Sequence, residues 1–254
     1  MSSFKDLGYV MLSLPQGEVQ PLQMLTKTGE NVAERLNADI SDVFTENGFA
    51  LPVIKETELP SSVSIEENIN LKLNTGLQFF KNLINYFNIE AKTTLAYEQA
   101  DIVKIKLGNP KLQKINILHL KGFVDSAMLT DSPSVIEMLA RNDLYIITEV
   151  VKVKDFTIET GDDSAVAATV DIGNDNLLKV EAGIKRNKSG ANHISHQGIN
   201  YLTFAVKAYR VFYDKNWWSK KVRINLENAD QLLKVKSDAE FQGELLSAEV
   251  YINL

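Results

Sequence analysis

Leu144-Tyr-Ile-Ile-Thr-Glu-Val-Val-Lys-Val-Lys-Asp-Phe-Thr-Ile158 is the run from which the fold is read. Val, Ile, Thr, Tyr and Phe dominate it, the residue types that suit a pleated and buried sheet surface, and neither glycine nor proline breaks it. Strands usually extend about five or six residues, so the stretch 144–158 predicts an unusually long central strand. Its apolar positions change parity around Lys154. A β-bulge there explains the change, because one extra residue moves every later side chain to the other phase.

Working outward, the dominant period is two. Val63, Ile65, Ile69, Leu71 and Leu73 share one face of a predicted strand over 62–74, with Glu67 interrupting that face and Ser64, Glu66, Asn68, Asn70 and Lys72 opposite. Segments 89–97 and 102–107 alternate in the same way. Downstream, Val166, Ala168, Val170 and Ile172 oppose Ala165, Ala167, Thr169 and Asp171, and Leu178, Val180, Ala182 and Ile184 oppose Lys179, Glu181, Gly183 and Lys185. The clusters Gly161-Asp-Asp-Ser164 and Gly173-Asn-Asp-Asn176 read as turns. Helical spacing is confined to short patches. Leu77, Phe80, Ile84 and Phe87 give one over 76–88. Val135, Ile136, Met138 and Leu139 give another over 133–141, behind a Ser132 cap with Pro133 in the first turn. Leu232 and Leu233 give a third over 228–236, while 188–192 and 237–243 read as exposed loops. With no repeat and no clear linker, the pattern predicts one α+β domain: a mostly antiparallel sheet with short helices to one side.

The chain of 254 residues carries 27 Lys/Arg against 33 Asp/Glu, for a net charge of −6, and no cysteine. Its acidity argues against a general nucleic-acid binder, whose affinity rests on neutralising phosphates. The lack of cysteine excludes disulfides, thiolate metal sites and a thiol nucleophile. Apolar runs of about five residues fall far short of the roughly 20 that a membrane helix needs. Nothing at the N-terminus resembles a signal peptide, so the expectation is a cytosolic, soluble monomer. Catalytic motifs are missing as well, with no G-x-S-x-G, P-loop, dinucleotide fingerprint or H-E-x-x-H. His193-x-x-His196 lies in a Gly/Asn/Ser stretch with no third ligand nearby, and reads as a polar loop rather than a metal site. Asp162-Asp163 reads as a solvated hairpin tip. No catalytic residue, metal or cofactor is assigned.

Charge placement is more informative. Residues 179–223 hold ten Lys/Arg against two acids, and 227–254 hold two against six. The basic stretch contains Tyr201, Phe204, Tyr209, Phe212, Tyr213, Trp217 and Trp218, which suits anionic lipid head groups; the plainer reading makes most of these rings core. At the end, Leu246, Ala248, Val250, Ile252 and Leu254 alternate with Ser247, Glu249, Tyr251 and Asn253. A terminal strand behind the polar loop 237–243 is easily separated by one proteolytic cut.

These residues together resemble a known family. Leu7-Gly-Tyr9, Leu14-Pro15, Val19-Gln-Pro-Leu22, Asp42-Val-Phe44 and Leu51-Pro52 run in the order seen at the start of bacterial gasdermins. Leu71-Lys-Leu73 before the Gly76 helix, the 144–157 strand and Phe204-Ala-Val-Lys-Ala-Tyr209 look like that family too. The resemblance covers nearly the whole chain. It implies a gasdermin-like body over 1–236, built on a twisted central sheet, and a short autoinhibitory peptide over 237–254. It also implies a pore-forming effector of cell death in antiphage defence. Such a protein rests in the cytoplasm until a caspase-like protease clips the tail, then inserts into inner-membrane lipid and assembles with copies of itself as a large β-barrel. Asp238, Leu246 and Ser247 are candidates for the cleavage region, and Ala248, Val250, Ile252 and Leu254 for the inhibitory face. Family members typically carry a palmitoylated cysteine near the N-terminus. Met1-Ser-Ser-Phe4 has none, which puts the lipid anchor in doubt but not the pore.

The residue pattern agrees with a pore on its own terms. A strand crossing a bilayer needs about 9–11 residues alternating apolar-out and polar-in, within a closed barrel. Candidate hairpins are 62–74 with 89–107, and 148–158 extended with 165–185. Ile65, Ile69, Leu71, Val166, Ala168, Val170, Ile172, Leu178, Val180, Ala182 and Ile184 then face lipid, and Lys179, Glu181 and Lys185 the lumen. The segments 76–88 and 161–176 refold as the strands lengthen. A soluble carrier holding an apolar ligand such as a lipid is the alternative reading of the same amphipathic strands.

Overall fold

A strand that is apolar on both faces has to be covered on both, and residues 144–151 are, with Glu149 alone half-buried among them. In the computed structural model, residues 4, 7–29, 32–59, 66–70, 72, 74–86, 102–130, 132–141, 143–160, 183–184, 193–214, 221–224 and 251–253 are described. The strands in chain order are β1 (Val10–Gln16), β2 (Gln23–Gly29), β3 (Val32–Asp39), β4 (Phe44–Thr45), β5 (Lys55–Glu58), β6 (Glu66–Asn70), β7 (Ile102–Gly108), β8 (Lys111–Lys114), β9 (Met128–Leu129), β10 (Leu144–Thr160), β11 (Gly183–Ile184), β12 (His193–Asp214), β13 (Lys221–Ile224) and β14 (Tyr251–Asn253). The helices are α1 (Ile40–Val43), α2 (Asn74–Tyr86), α3 (Ile117–Ser126) and α4 (Pro133–Arg141). The result is the expected α+β sheet with few, short helices.

The spine is β10. Along one edge it pairs antiparallel with β12, from Tyr145↔Arg210 to Glu159↔His193. Along the other edge it takes three partners in succession: β2 at Leu144–Ile146, β8 at Glu149–Lys152 and β7 at Asp155–Thr160. A register break falls at Lys154, where the bulge is expected, between the pairs Val153↔Leu202 and Asp155↔Gln197, with the longer excursion on β12. Two further register breaks were not legible in the sequence: one at Thr148, between Ile147↔Ala208 and Glu149↔Lys207, and one between Val151↔Ala205 and Lys152↔Thr203. Across the breaks an apolar side chain stays turned toward each core. Tyr145, Ile147 and then Val150 point into one core, while Val151, Val153 and then Phe156 and Ile158 point into another. Buried Thr148 is satisfied on both sides of its backbone, because its Oγ1 donates to the Lys207 carbonyl at 3.2 Å and its own carbonyl accepts from the Ile115 N–H at 3.0 Å.

The sheet closes on itself. From β12 the hydrogen-bonded order runs β1, β14, β3, β2, β10, and β10 pairs again with β12. Six strands thus form a small closed barrel, filled by side chains as its narrow bore requires. Its interior is Val10 and Leu12 from β1, Leu25 from β2, Ala33 from β3, Tyr145, Ile147 and Val150 from β10, and Val206 and Ala208 from β12, plugged by Val19. Pairing is antiparallel throughout the ring except at β14, which runs parallel to both neighbours.

Outside the barrel, α2 follows the helical spacing read over 76–88. It buries Phe79, Phe80 and Leu83 against Ile69 of β6, Val103, Ile105 and Leu107 of β7, and Phe156 and Ile158 of β10. A separate cluster joins Ile40, Val43 and Phe44 to Leu120, Phe123 and Val124 of α3, Leu139 of α4 and Leu144 and Ile146 of β10. In α4 the Ser132 carbonyl accepts the Ile136 N–H at 3.0 Å, as its reading as the cap expects. The sequence reading passed over α3, whose signal is Asn116: its side chain accepts from the Leu118 and His119 N–H groups at 2.9 and 3.1 Å. His193 and His196 correct the sequence reading. They lie in β12, paired opposite Glu159 and Phe156, rather than in a loop. The expectations for 87–101, 161–182, 185–192 and 225–250 lie outside the described residues.

Removing a side chain from the barrel interior leaves a void that strands held on both sides do not collapse to fill. Ile147→Ala is therefore expected to cost about 2–5 kcal/mol, read as a lower urea midpoint at unchanged slope.

Candidate functional site

The seam between β1 and β3 is where the chain's end meets its body. Ile252 stands opposite Leu12 on one side and Ala33 on the other, with Tyr251 opposite Val32 and Asn253 opposite Glu34. Leu12 and Ala33 are fully buried. Each flanking strand is held by its far edge: β1 by β12, at Val10↔Val206 and Met11↔Ala205, and β3 by β2, at pairs from Gln23↔Asp39 to Gly29↔Val32. Without β14 both inner edges would present unpaired main-chain groups and the ring would open, a state that sheets normally guard against.

A second feature lies under α2. The strands β6 and β7 flank that helix in sequence and pair antiparallel from Glu66↔Lys106 to Asn70↔Ile102. On β7 the buried Val103, Ile105 and Leu107 alternate with half-buried Lys104 and Lys106. The Lys106 ammonium sits 2.6 Å from the Glu159 carboxylate on β10. One face of this three-stranded patch is thus apolar and covered by helix, and the other carries charge. A strand in a bilayer barrel needs the same alternation. The helix is tied down by more than packing, since Asn82 Nδ2 donates to the Ser13 carbonyl of β1 at 3.3 Å.

The chain's start is anchored at the junction of these features. Phe4 is buried and meets Tyr9 edge-to-face at 6.3 Å. The Tyr9 hydroxyl donates to Glu149 Oε2 at 2.6 Å, and the Lys207 ammonium lies 4.6 Å from the Tyr9 ring centre and 4.0 Å from Glu149 Oε2. Burial, and then the Glu149 carboxylate, hold the Tyr9 phenol well above its ordinary pKa; the same two causes raise Tyr209. Sequence reasoning missed this anchor. Its partners are far apart in the chain, and no local pattern marks a tyrosine that will face a glutamate across a sheet.

Of the residues singled out from sequence, Ile252 is in the seam, Ile69 is buried beneath α2, and Ile184 is in β11 opposite His196 of β12. Asp238, Leu246, Ser247, Ala248, Val250, Leu254, Ile65, Leu71, Val166, Ala168, Val170, Ile172, Leu178, Val180 and Ala182 lie outside the described residues. Among the aromatics of the basic stretch, Phe204 and Tyr209 are core, as the plainer reading has it. Half-buried Tyr201 has the Lys111 ammonium 4.7 Å from its ring centre. Among the described residues no group of three His, Cys, Asp or Glu side chains gathers to hold a metal ion. No described helix is long and apolar enough to cross a membrane.

The profile of the Bacterial Gasdermin Family matches residues 12–222. A protein named Gasdermin bGSDM from a Desulfuromonadales bacterium is 23% identical over 259 residues, covering 100% of this chain and 96% of its own length. Another so named, from Vitiosangium sp. (strain GDMCC 1.1324), is 24% identical and covers 82% of this chain and 78% of its own. A solved bacterial gasdermin from Bradyrhizobium tropiciagri superposes with a TM-score of 0.48 at 13% identity, over 85% of this chain and 86% of that one.

The Tyr9 anchor makes a two-part prediction. Tyr9→Phe loses a hydrogen bond to a charged group, a change worth about 1.5–3 kcal/mol by urea denaturation near neutral pH. A phenol raised in the fold above its unfolded value of 10.0 stabilises fully below that pH and loses its contribution as pH rises beyond it. The alkaline decline in urea midpoint should accordingly be shallower in Tyr9→Phe.

Proposed function

Because this chain belongs to the bacterial gasdermin family, we propose that it rests as an inactive pore-former locked by its own C-terminal strand and released by proteolysis within 237–247. Membership makes it a pore-forming effector of cell death that acts in a membrane as an oligomer, and not an enzyme. The finer reading adds a body over 1–236 and an inhibitory tail over 237–254, cut by a caspase-like protease near Asp238, Leu246 or Ser247. The freed body enters the inner membrane, and the pore serves antiphage defence.

The observation that carries this reading is the position of β14, the last strand of the chain and the stave that closes the barrel between β1 and β3. Apolar contacts of a short tail, at about 25 cal/mol per Å² and less the entropy of ordering it, amount to a few kcal/mol. That is enough to set a population, with lipid contact and self-assembly supplying the rest. The strands β6, β7 and the second half of β10 then exchange one apolar cover, Phe79, Phe80 and Leu83 of α2, for acyl chains. Their charged face, with Lys104, Lys106 and Glu159, turns to the water-filled lumen. Residues 165–185 supply the second hairpin, with Val166, Ala168, Val170, Ile172, Leu178, Val180, Ala182 and Ile184 toward lipid.

Dye-loaded liposomes rich in anionic lipid test the lock. A chain cut within 237–247 releases dye while the intact chain does not, and equal leakage from both would show that the tail restrains nothing. A second test addresses α2. Since the sequence holds no other cysteine, Ser13→Cys with Asn82→Cys places the only two thiols where helix and β1 touch. Cross-linked and cut, this variant should retain dye; reduced and cut, it should leak. Leakage in both states would mean that α2 does not have to leave.

A further inference from the structure

We propose that the seam between β1 and β3 is a strand-binding site in its own right, one that accepts the severed tail peptide in trans as well as holding β14 in cis. The inference rests on the proposed role of the tail and goes beyond it, because it makes inhibition a binding equilibrium that outlives the cut.

Three observations lead there. Each wall of the seam has pairing of its own besides the tail: β1 is paired to β12 and β3 to β2 along their far edges, and behind them the interior is filled from β10 and β12 by Tyr145, Val150 and Val206. What β14 contributes is main-chain pairing on both of its edges, with Ile252 between Leu12 and Ala33. Recognition of that kind depends on an extended backbone and alternating side chains and not on a covalent tether, as in strand addition generally. Finally, the orientation is specified, since the occupant runs parallel to both walls, so a strand laid in the opposite direction makes a different ladder.

Cutting the linker therefore lets the strand leave without abolishing the seam's affinity for it. It replaces a tethered strand, at an effective concentration on the order of millimolar, with a free one that leaves only when its concentration falls below its dissociation constant. The liberated peptide is a competitive brake on the protein that released it.

The test uses the full chain with a protease site introduced within 237–243, cut and then freed of its own peptide by gel filtration. The probe is a fluorescent synthetic peptide of residues 244–254, followed by anisotropy. Saturable binding is expected. An Ile252→Pro peptide, which lacks the central N–H, should bind at least about tenfold more weakly. The uncut chain, whose seam is already filled, should bind the probe about a hundredfold more weakly. The unlabelled peptide should also suppress dye release by the cut protein, with the proline version far less effective. Equal binding by the two peptides, equal binding by cut and uncut chains, or no binding would overturn the proposal. The two readings fail separately: a cut protein that leaks regardless of peptide removes the trans site and leaves the tail restraint, whereas one that binds peptide in the seam and never leaks removes the restraint reading and leaves the site.

Discussion

Main-chain pairing along β10 is the constraint from which the rest follows. A buried strand has to find a partner for the N–H and C=O groups along both of its edges, and a strand running from Leu144 to Thr160 outlasts any one short neighbour. One edge is met by the still longer β12, and the other by β2, β8 and β7 in turn. Twist over such a length curls the sheet until β12 and β2 can be joined through β1 and β3. The barrel, the helix-covered patch and the anchor at Tyr9 are all attached to this one ladder.

Two kinds of closure result, and they differ in how they come apart. In the helix-covered patch the cover is apolar and unspecific: α2 supplies aromatic and aliphatic surface, which another greasy medium supplies as well. At the β1–β3 seam the cover is a row of directed hydrogen bonds, which only another extended chain replaces.

Much of this was legible in the residues. Alternation at 102–107 and 144–158, the helix over 76–88, the capped helix at 133–141 and the bulge at Lys154 follow from side-chain period and turn chemistry, which are local properties. The break at Thr148 was not, because it is set by the partner strand; the stretch 193–196 reads as a loop until β10 is beside it. The Asn116 cap was a local signal passed over. Tyr9 and Glu149 are joined only by the fold.

The sequence alone determined the alternation of 102–107 and 144–158 and the helices over 76–88 and 133–141, because hydrophobic period is written residue by residue. Only the tertiary structure decided that the last strand is the stave closing a six-stranded barrel. Pairing between residues 12, 33 and 252 is a matter of register and of curl over distance, and no local pattern encodes which edge a strand will fill.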